Sequence, residues 1–276
     1  MINLEKTVIF HPGMGKTATS AIQRVGVEHC FDNLNYSKFG VLGEAHNYFS
    51  SIHPQYSEDK FTSEWQGFLN CLVNSDKNFL ISSEFLIRDD PEHIKRMILD
   101  LKSIGYKVQV VFSIRSYTSY LISAFLQGVK VNWGVSPDET VFEFSKRELP
   151  LIRLPDLIKP WAENAGDENI FILDYDNNRH GFVEKFYSGL GAHLDLNEYR
   201  SENVNPSIKL AVAPLLRHFD RVSSNSSQRA EFISFINKLE TRKSYDSGVH
   251  ERIQDNIVKN SFLDDFEFLT RRYNWL

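Results

Sequence analysis

Residues 7–23 read Thr-Val-Ile-Phe-His-Pro-Gly-Met-Gly-Lys-Thr-Ala-Thr-Ser-Ala-Ile-Gln. Lys16 stands there in a glycine-bearing turn beside three hydroxyl residues, Thr17, Thr19 and Ser20. A cation, hydroxyl donors and the amides of a helix start form a receptor for a phosphate or sulfate ester. Arg115 ends the β-prone run 107–114; a guanidinium there and a hydroxyl two helical turns on, such as Ser123, can converge on one phosphate, while an ion-paired or surface role is open to the arginine by itself. Two other groups are suited to moving a proton. Glu84 closes the run Asn78–Ser83, and His11 adjoins the glycine-bearing turn with an ordinary pKa near neutrality. A structural role is equally open to each: an ion pair with Arg88 or a lysine for Glu84, and orientation of the turn through a hydrogen bond for His11.

The elements that must hold these groups follow from the hydrophobic pattern. Apolar runs predict strands at about 7–11, 78–83, 107–114 and 169–174, with a shorter extended piece at 36–41. Helices are expected at 16–30, 62–75, 91–104, 117–131 and 181–190, in the stretch leading to about 165, and over most of 206–272. Strands alternating with helices imply an α/β fold with a parallel sheet covered on both faces. Ligands then bind outside the carboxyl ends of the strands. The loop 12–20, Glu84 and Arg115 all lie at such ends, so one cleft can hold all three. No internal repeat occurs, and Ser223–Ser227 reads as a turn between helices, so a single domain over residues 1–276 is expected.

The spelling argues against a nucleotide-triphosphatase loop, because Phe10 occupies the place where that loop needs its first glycine. Instead, Gly15-Lys16-Thr17-Ala18-Thr19-Ser20 resembles the 5'-phosphosulfate loop of sulfotransferases that use 3'-phosphoadenosine 5'-phosphosulfate (PAPS). That family usually writes Pro-Lys-Ser/Thr-Gly-Thr-Thr/Ser, so Gly15 replaces a proline and Ala18 a glycine. Arg115 and Ser123 keep the spacing of the family's 3'-phosphate ligands, although Ser116-Tyr117 stands in place of Asn/Asp-Pro. Ser82-Ser83-Glu84, Gly189-Leu-Gly-Ala192 and Asn203-Val-Asn-Pro-Ser207 are similar to further segments of bacterial members.

The resemblance implies a P-loop-like fold with a helical carboxyl-terminal part. It implies PAPS binding by Gly15, Lys16, Thr17, Ala18, Thr19, Ser20, Arg115 and Ser123, with Lys16 and either Glu84 or His11 in catalysis. The sulfuryl group would go to a hydroxyl or amine of a glycan, lipid-linked sugar or small metabolite, with no metal. Two other classes remain open: a P-loop kinase or nucleotide hydrolase with Asp174 as magnesium ligand, and a nucleotide-binding relative without turnover.

Composition sets the background. The chain has 276 residues, 42% of them hydrophobic, enough for one large domain with a substantial core. A net charge of −5 gives no reason to expect nonspecific nucleic-acid binding. Neither a signal peptide nor a membrane-length apolar run is present, so a cytoplasmic enzyme is expected. Cys30 and Cys71 lack metal-ligand spacing and read as buried, reduced thiols. His46 and His53 are expected at the surface. Tyr48, Phe49, Tyr56 and Trp65 would either pack their loop onto the core or stack on an acceptor, and the same choice between packing and lining the cleft mouth is open to Lys130–Trp133.

Overall fold

The β-prone runs pair side by side, as continuous apolar strands do when both faces are covered. In the computed structural model, which describes residues 6–192, 208–223, 225–238, 243–259 and 264–276, they form six strands. These are β1 (Thr7–His11), β2 (Leu34–Tyr36), β3 (Asn78–Ser82), β4 (Lys107–Ile114), β5 (Ile170–Asp174) and β6 (Asn274–Trp275). All pairings are parallel, in the order β2-β3-β1-β4-β5-β6. Central β1 therefore separates connections running to opposite sides of the sheet, the arrangement that opens a crevice at its carboxyl end.

The chain divides into two compact units, each discontinuous in sequence. The first comprises Met1–Arg115, Leu154–Ser201 and Phe266–Leu276 and contains the whole sheet. Its helices are α1 (Thr19–Glu28), α2 (Glu58–Val73), α3 (Pro91–Ser103), and, after the second unit's segment, those at Leu154–Ala165, Tyr175–Asn178 and Phe182–Gly189. Alternate strand residues face opposite layers. Ile9, Leu80, Val111 and Leu173 join Ile22 and Val25 of α1 and Phe186 and Tyr187 of the 182–189 helix in one buried cluster. On the other face, Phe10 meets Trp161 at 5.0 Å between ring centroids, and Phe79 meets Phe68 of α2 at 5.7 Å.

The second unit, Ser116–Arg153 with Glu202–Asp265, is helical among its described residues. Its first helix, α4 (Tyr117–Val131), is capped by Ser116, whose side chain accepts from Ser119 N. The serine thus does the capping at the position where the resembled family places Asn or Asp. Tyr117 is buried and donates its hydroxyl to Asp265 at 2.8 Å, and Arg153 pairs with the same carboxylate at 3.3 Å. α5 (Val141–Glu148) starts in a capping box formed by Thr140 and Glu143.

Several boundaries differ from the sequence expectation for identifiable reasons. The extended piece at 36–41 is β2 at 34–36, because Ser37 Oγ accepts from Phe39 N and Gly40 turns with φ 75°. The helix expected at 62 begins at Glu58, where Ser57 accepts from Lys60 N and two acidic residues occupy the first turn. The long helical tract after 206 is broken into Ala213–Val222, Ser226–Asn237, Lys243–Ile253 and Asp265–Arg272, with one π-helical segment at Gln254–Val258. The Asn203–Ser207 segment lies outside the described residues.

Candidate functional site

The loop leaving β1 is shaped by close contact and left-handed backbone. A Cβ on Gly13 would stand 2.6 Å from Thr19 Oγ1 and 3.1 Å from the His11 ring, so the loop closes this tightly only over a glycine. Thr17 donates its hydroxyl to Met14 O at 2.5 Å, and Met14 N donates to Ser113 O at 3.1 Å. Lys16 and Ala18 adopt φ 69° and 58°, a region non-glycine residues enter at a cost of about 1–2 kcal/mol each. This bend postpones α1 to Thr19, three residues later than its expected start. Ala18 caps α1 with no side-chain oxygen, and no acidic residue occupies the first turn. The positive end of the helix dipole is therefore uncompensated by its own first turn.

Glu84 follows β3, immediately before a 3-10 turn at Phe85–Arg88. The residue is exposed as a whole, yet the protein packed around its carboxyl raises its pKa by desolvation. Lys16 and a hydrogen bond from Thr19 act in the opposite sense. The structure thus joins the loop cation, the first-turn threonine and the carboxylate at one point.

Arg115, two residues past Ser113, reaches the same loop. Its Nη1 donates to Lys16 O at 3.1 Å, Nη2 lies 3.4 Å from Asp176 Oδ1, and the guanidinium covers the Tyr175 ring at 5.1 Å. Its Nε is buried without a hydrogen-bond partner. Burial lowers the Arg115 pKa, and Asp176 opposes that shift.

The remaining expected site residues sort by position. Gly15 is half-buried and Ser20 exposed at the start of α1, while Thr17 and Thr19 are buried. Ser123 lies half-buried on α4, in the second unit. His11 is fully buried with both ring nitrogens engaged, to Ser82 Oγ at 2.9 Å and Ser113 Oγ at 2.8 Å. Burial depresses its pKa to about 3. Asp174 caps the 175–178 helix: Oδ1 accepts from Asp176 N and Asn177 N, and Oδ2 from the Asn177 side chain. No group of three or more His, Cys, Asp or Glu among the described residues is arranged to hold a metal ion.

Two expectations about exposure are corrected, for His46 and for the cysteines. His46 is fully buried, its Nε2 2.8 Å from Ser37 O and its Nδ1 accepting from Ser82 N at 3.0 Å, because an irregular loop over a strand end needs partners for its backbone. Burial takes its pKa down to about 4. Cys30 is exposed and Cys71 half-buried; both are free thiols. Phe49 and Trp65 pack edge to face at 5.0 Å inside the core, which leaves them unavailable for stacking on an acceptor. His53 is partly exposed against Phe85, at 4.6 Å.

Sequence reasoning did not single out Gly13, Ser113, Tyr175 or Asp176, and it took Ser82 only as part of the Ser82-Ser83-Glu84 resemblance. A signal existed for the serines, which interrupt apolar strands on the face that carries His11. None existed for Tyr175 and Asp176, which meet Arg115 only through the fold.

No family model matches the chain, and no curated protein matches it in sequence. Among solved structures, the chain is similar to a sulfotransferase from Alicyclobacillus acidocaldarius, with 14% identity, a TM-score of 0.45, and coverage of 87% of this chain and 98% of that one. It is also similar to a mouse sulfotransferase complexed with PAP, with 15% identity, a TM-score of 0.42, and coverage of 94% and 89%. A gluconokinase from Sinorhizobium meliloti matches with 11% identity, a TM-score of 0.32, and coverage of 69% and 94%. These likenesses are coarse, and function has to be read from the residues of the site. No helix among the described residues is long and apolar enough to cross a membrane.

Proposed function

We propose that this chain is a PAPS-dependent sulfotransferase acting on a hydroxyl or amine of a glycan, lipid-linked sugar or small metabolite. The observation that carries the reading is the convergence of Lys16, Thr19 and Glu84 at the unacidified start of α1, with Arg115 bonded to the Lys16 carbonyl. The residues fit the donor: the buried, unpartnered Nε of Arg115 offers a further N–H to a phosphate. PAPS supplies an activated sulfuryl group and a bisphosphonucleoside leaving group.

Lys16 and the amides at the start of α1 lie where they would stabilise charge developing on the 5'-phosphate side. Arg115 would bind the 3'-phosphate and select PAPS over ordinary ATP. Glu84 would take the proton from the acceptor, and its raised pKa makes the ionised carboxylate a stronger base. The kinase reading has less support, since both oxygens of Asp174 are spent on capping.

Calorimetric titration with 3'-phosphoadenosine 5'-phosphate, beside ATP–Mg²⁺ and 5'-AMP, tests the proposal. Micromolar binding of the bisphosphate alone supports it. Preference for ATP–Mg²⁺, or no binding of any of the three, overturns it.

A further inference from the structure

His11 stands at the entrance to the proposed site yet is 0% exposed, with Phe186 covering its ring at a centroid distance of 4.7 Å. Its two partners belong to different strands. Ser82 ends β3 and Ser113 lies near the end of β4, the two neighbours of β1. The three side chains share one face because Ile9 and His11, Leu80 and Ser82, and Val111 and Ser113 are alternate residues directed at the α1 layer. Each serine precedes a proposed site residue by the same short step: Ser82 is followed two residues later by Glu84, and Ser113 by Arg115. His11 itself leads into the loop that carries Lys16.

A neutral imidazole has one N–H and one lone pair. Gln23 donates its amide to Ser82 Oγ at 3.3 Å. The ordering that uses every group runs from Gln23 to Ser82, from the Ser82 hydroxyl to His11 Nδ1, and from His11 Nε2–H to Ser113 Oγ. Main-chain bonds repeat the tie on either side, Ser83 N to His11 O at 3.3 Å and Met14 N to Ser113 O at 3.1 Å. Burial keeps the ring neutral through the physiological range, so the tie persists there without a change of charge.

We infer that His11 is a positioning residue: a neutral cross-tie that fixes three strand ends relative to one another, and with them the Lys16 loop, Glu84 and Arg115. It is not the proton acceptor. The inference rests on the site reading proposed above, and it carries weight because a misplacement of about 1 Å in such a site can cost about a hundredfold in rate.

The test uses Ser82→Ala, Ser113→Ala, His11→Phe and His11→Gln in the full chain. Three readouts are taken: affinity for 3'-phosphoadenosine 5'-phosphate, the Glu84 carboxyl titration followed by ¹³C NMR, and the Arg115 Nε–H resonance. Ser113→Ala should weaken nucleotide binding at least about fivefold, shift the Arg115 resonance and leave the Glu84 titration in place. Ser82→Ala should keep affinity within about twofold while the Glu84 midpoint falls towards the ordinary carboxylate value. His11→Phe should produce both effects, and His11→Gln should restore part of each. In the wild type, ¹⁵N spectra should show one neutral tautomer from about pH 5 to 9.

Loss of melting temperature alone, with the Glu84 and Arg115 signals unmoved, reduces His11 to a stability residue and overturns the inference. An imidazole titrating near neutrality also overturns it. If the wild type binds ATP–Mg²⁺ or no nucleotide, the proposed function fails, while the two NMR readouts still decide the cross-tie.

Discussion

Ala18 holds φ 58° and ψ 21° at the cap of α1, where left-handed backbone costs about 1–2 kcal/mol for a residue with a Cβ. Its methyl group packs against the cluster around Ile9 and Ile22, a contact worth up to about 0.8 kcal/mol. Glycine would relieve the strain, lose that contact and gain about 0.4–1 kcal/mol of unfolded-chain entropy. These effects nearly cancel, so Ala18→Gly should shift stability by no more than about 1 kcal/mol. Ala18→Val should lose at least about 2 kcal/mol, because a β-branched residue resists positive φ. Thermal melting of the two variants checks the contrast, and equal melting points would contradict it.

Lys16→Ala should cut turnover by about 10²–10³, the usual effect of removing a charge-stabilising donor. Initial rates with PAPS and the acceptor measure it, and an unaffected rate would remove Lys16 from catalysis. Asp176 holds the guanidinium of Arg115, a partly exposed pair worth about 1 kcal/mol. If a phosphate must compete with that carboxylate, Asp176→Asn should tighten 3'-phosphoadenosine 5'-phosphate binding about fivefold by calorimetry. Weaker binding would mean that Asp176 serves to aim Arg115.

At the scale of elements, Asp174 marks the difference between a kinase and a transferase reading. Its carboxylate caps a single helical turn through two backbone amides. Asp174→Ala should therefore lose about 1 kcal/mol of stability and leave nucleotide binding free of magnesium dependence. A loss of magnesium-dependent ATP binding in that variant would reinstate the metal-ligand role.

Strands such as Thr7–His11 and Lys107–Ile114 were legible because burial on both faces writes them as continuous apolar runs. The Lys16 loop was legible as a glycine-bearing turn in its residue types, but not in its backbone. Neither lysine nor alanine advertises positive φ, which is why the helix start was displaced. β6 has two residues, both exposed, so no periodicity announced it. His46 was read as a surface residue because its partners, Ser37 O and Ser82 N, are main-chain atoms of other segments and leave no trace in side-chain types.

Across the whole molecule, the fully buried His11 and His46 set a pH response. Folded-state values of about 3 for His11 and about 4 for His46 lie below the unfolded value, so the unfolded chain binds the extra protons as pH falls below about 6.5. Each contributes stability that is present above that pH and is lost as pH falls towards its folded value, roughly 2 kcal/mol apiece by pH 5. Glu84 and Asp89 act in the opposite sense. Their raised pKa values let the folded chain keep protons longer, which offsets part of the loss in acid. Urea midpoints at pH 7.5 and pH 5 should therefore differ, with the acid value lower. Equal midpoints would place both imidazoles in contact with water.

The all-parallel sheet also sets the order of events in time. No hairpin can start it, because β1 must find β3 and β4, and the His11 partners lie 71 and 102 residues along the chain. Closing loops of that length costs entropy before any strand contact returns it, which makes such topologies slow to form. Until both neighbours arrive, Val8-Ile9-Phe10 is a bare apolar edge on either side, open to pairing with other copies of the chain. The strand that leads into the Lys16 loop is thus open to aggregation until both of its neighbours are in place.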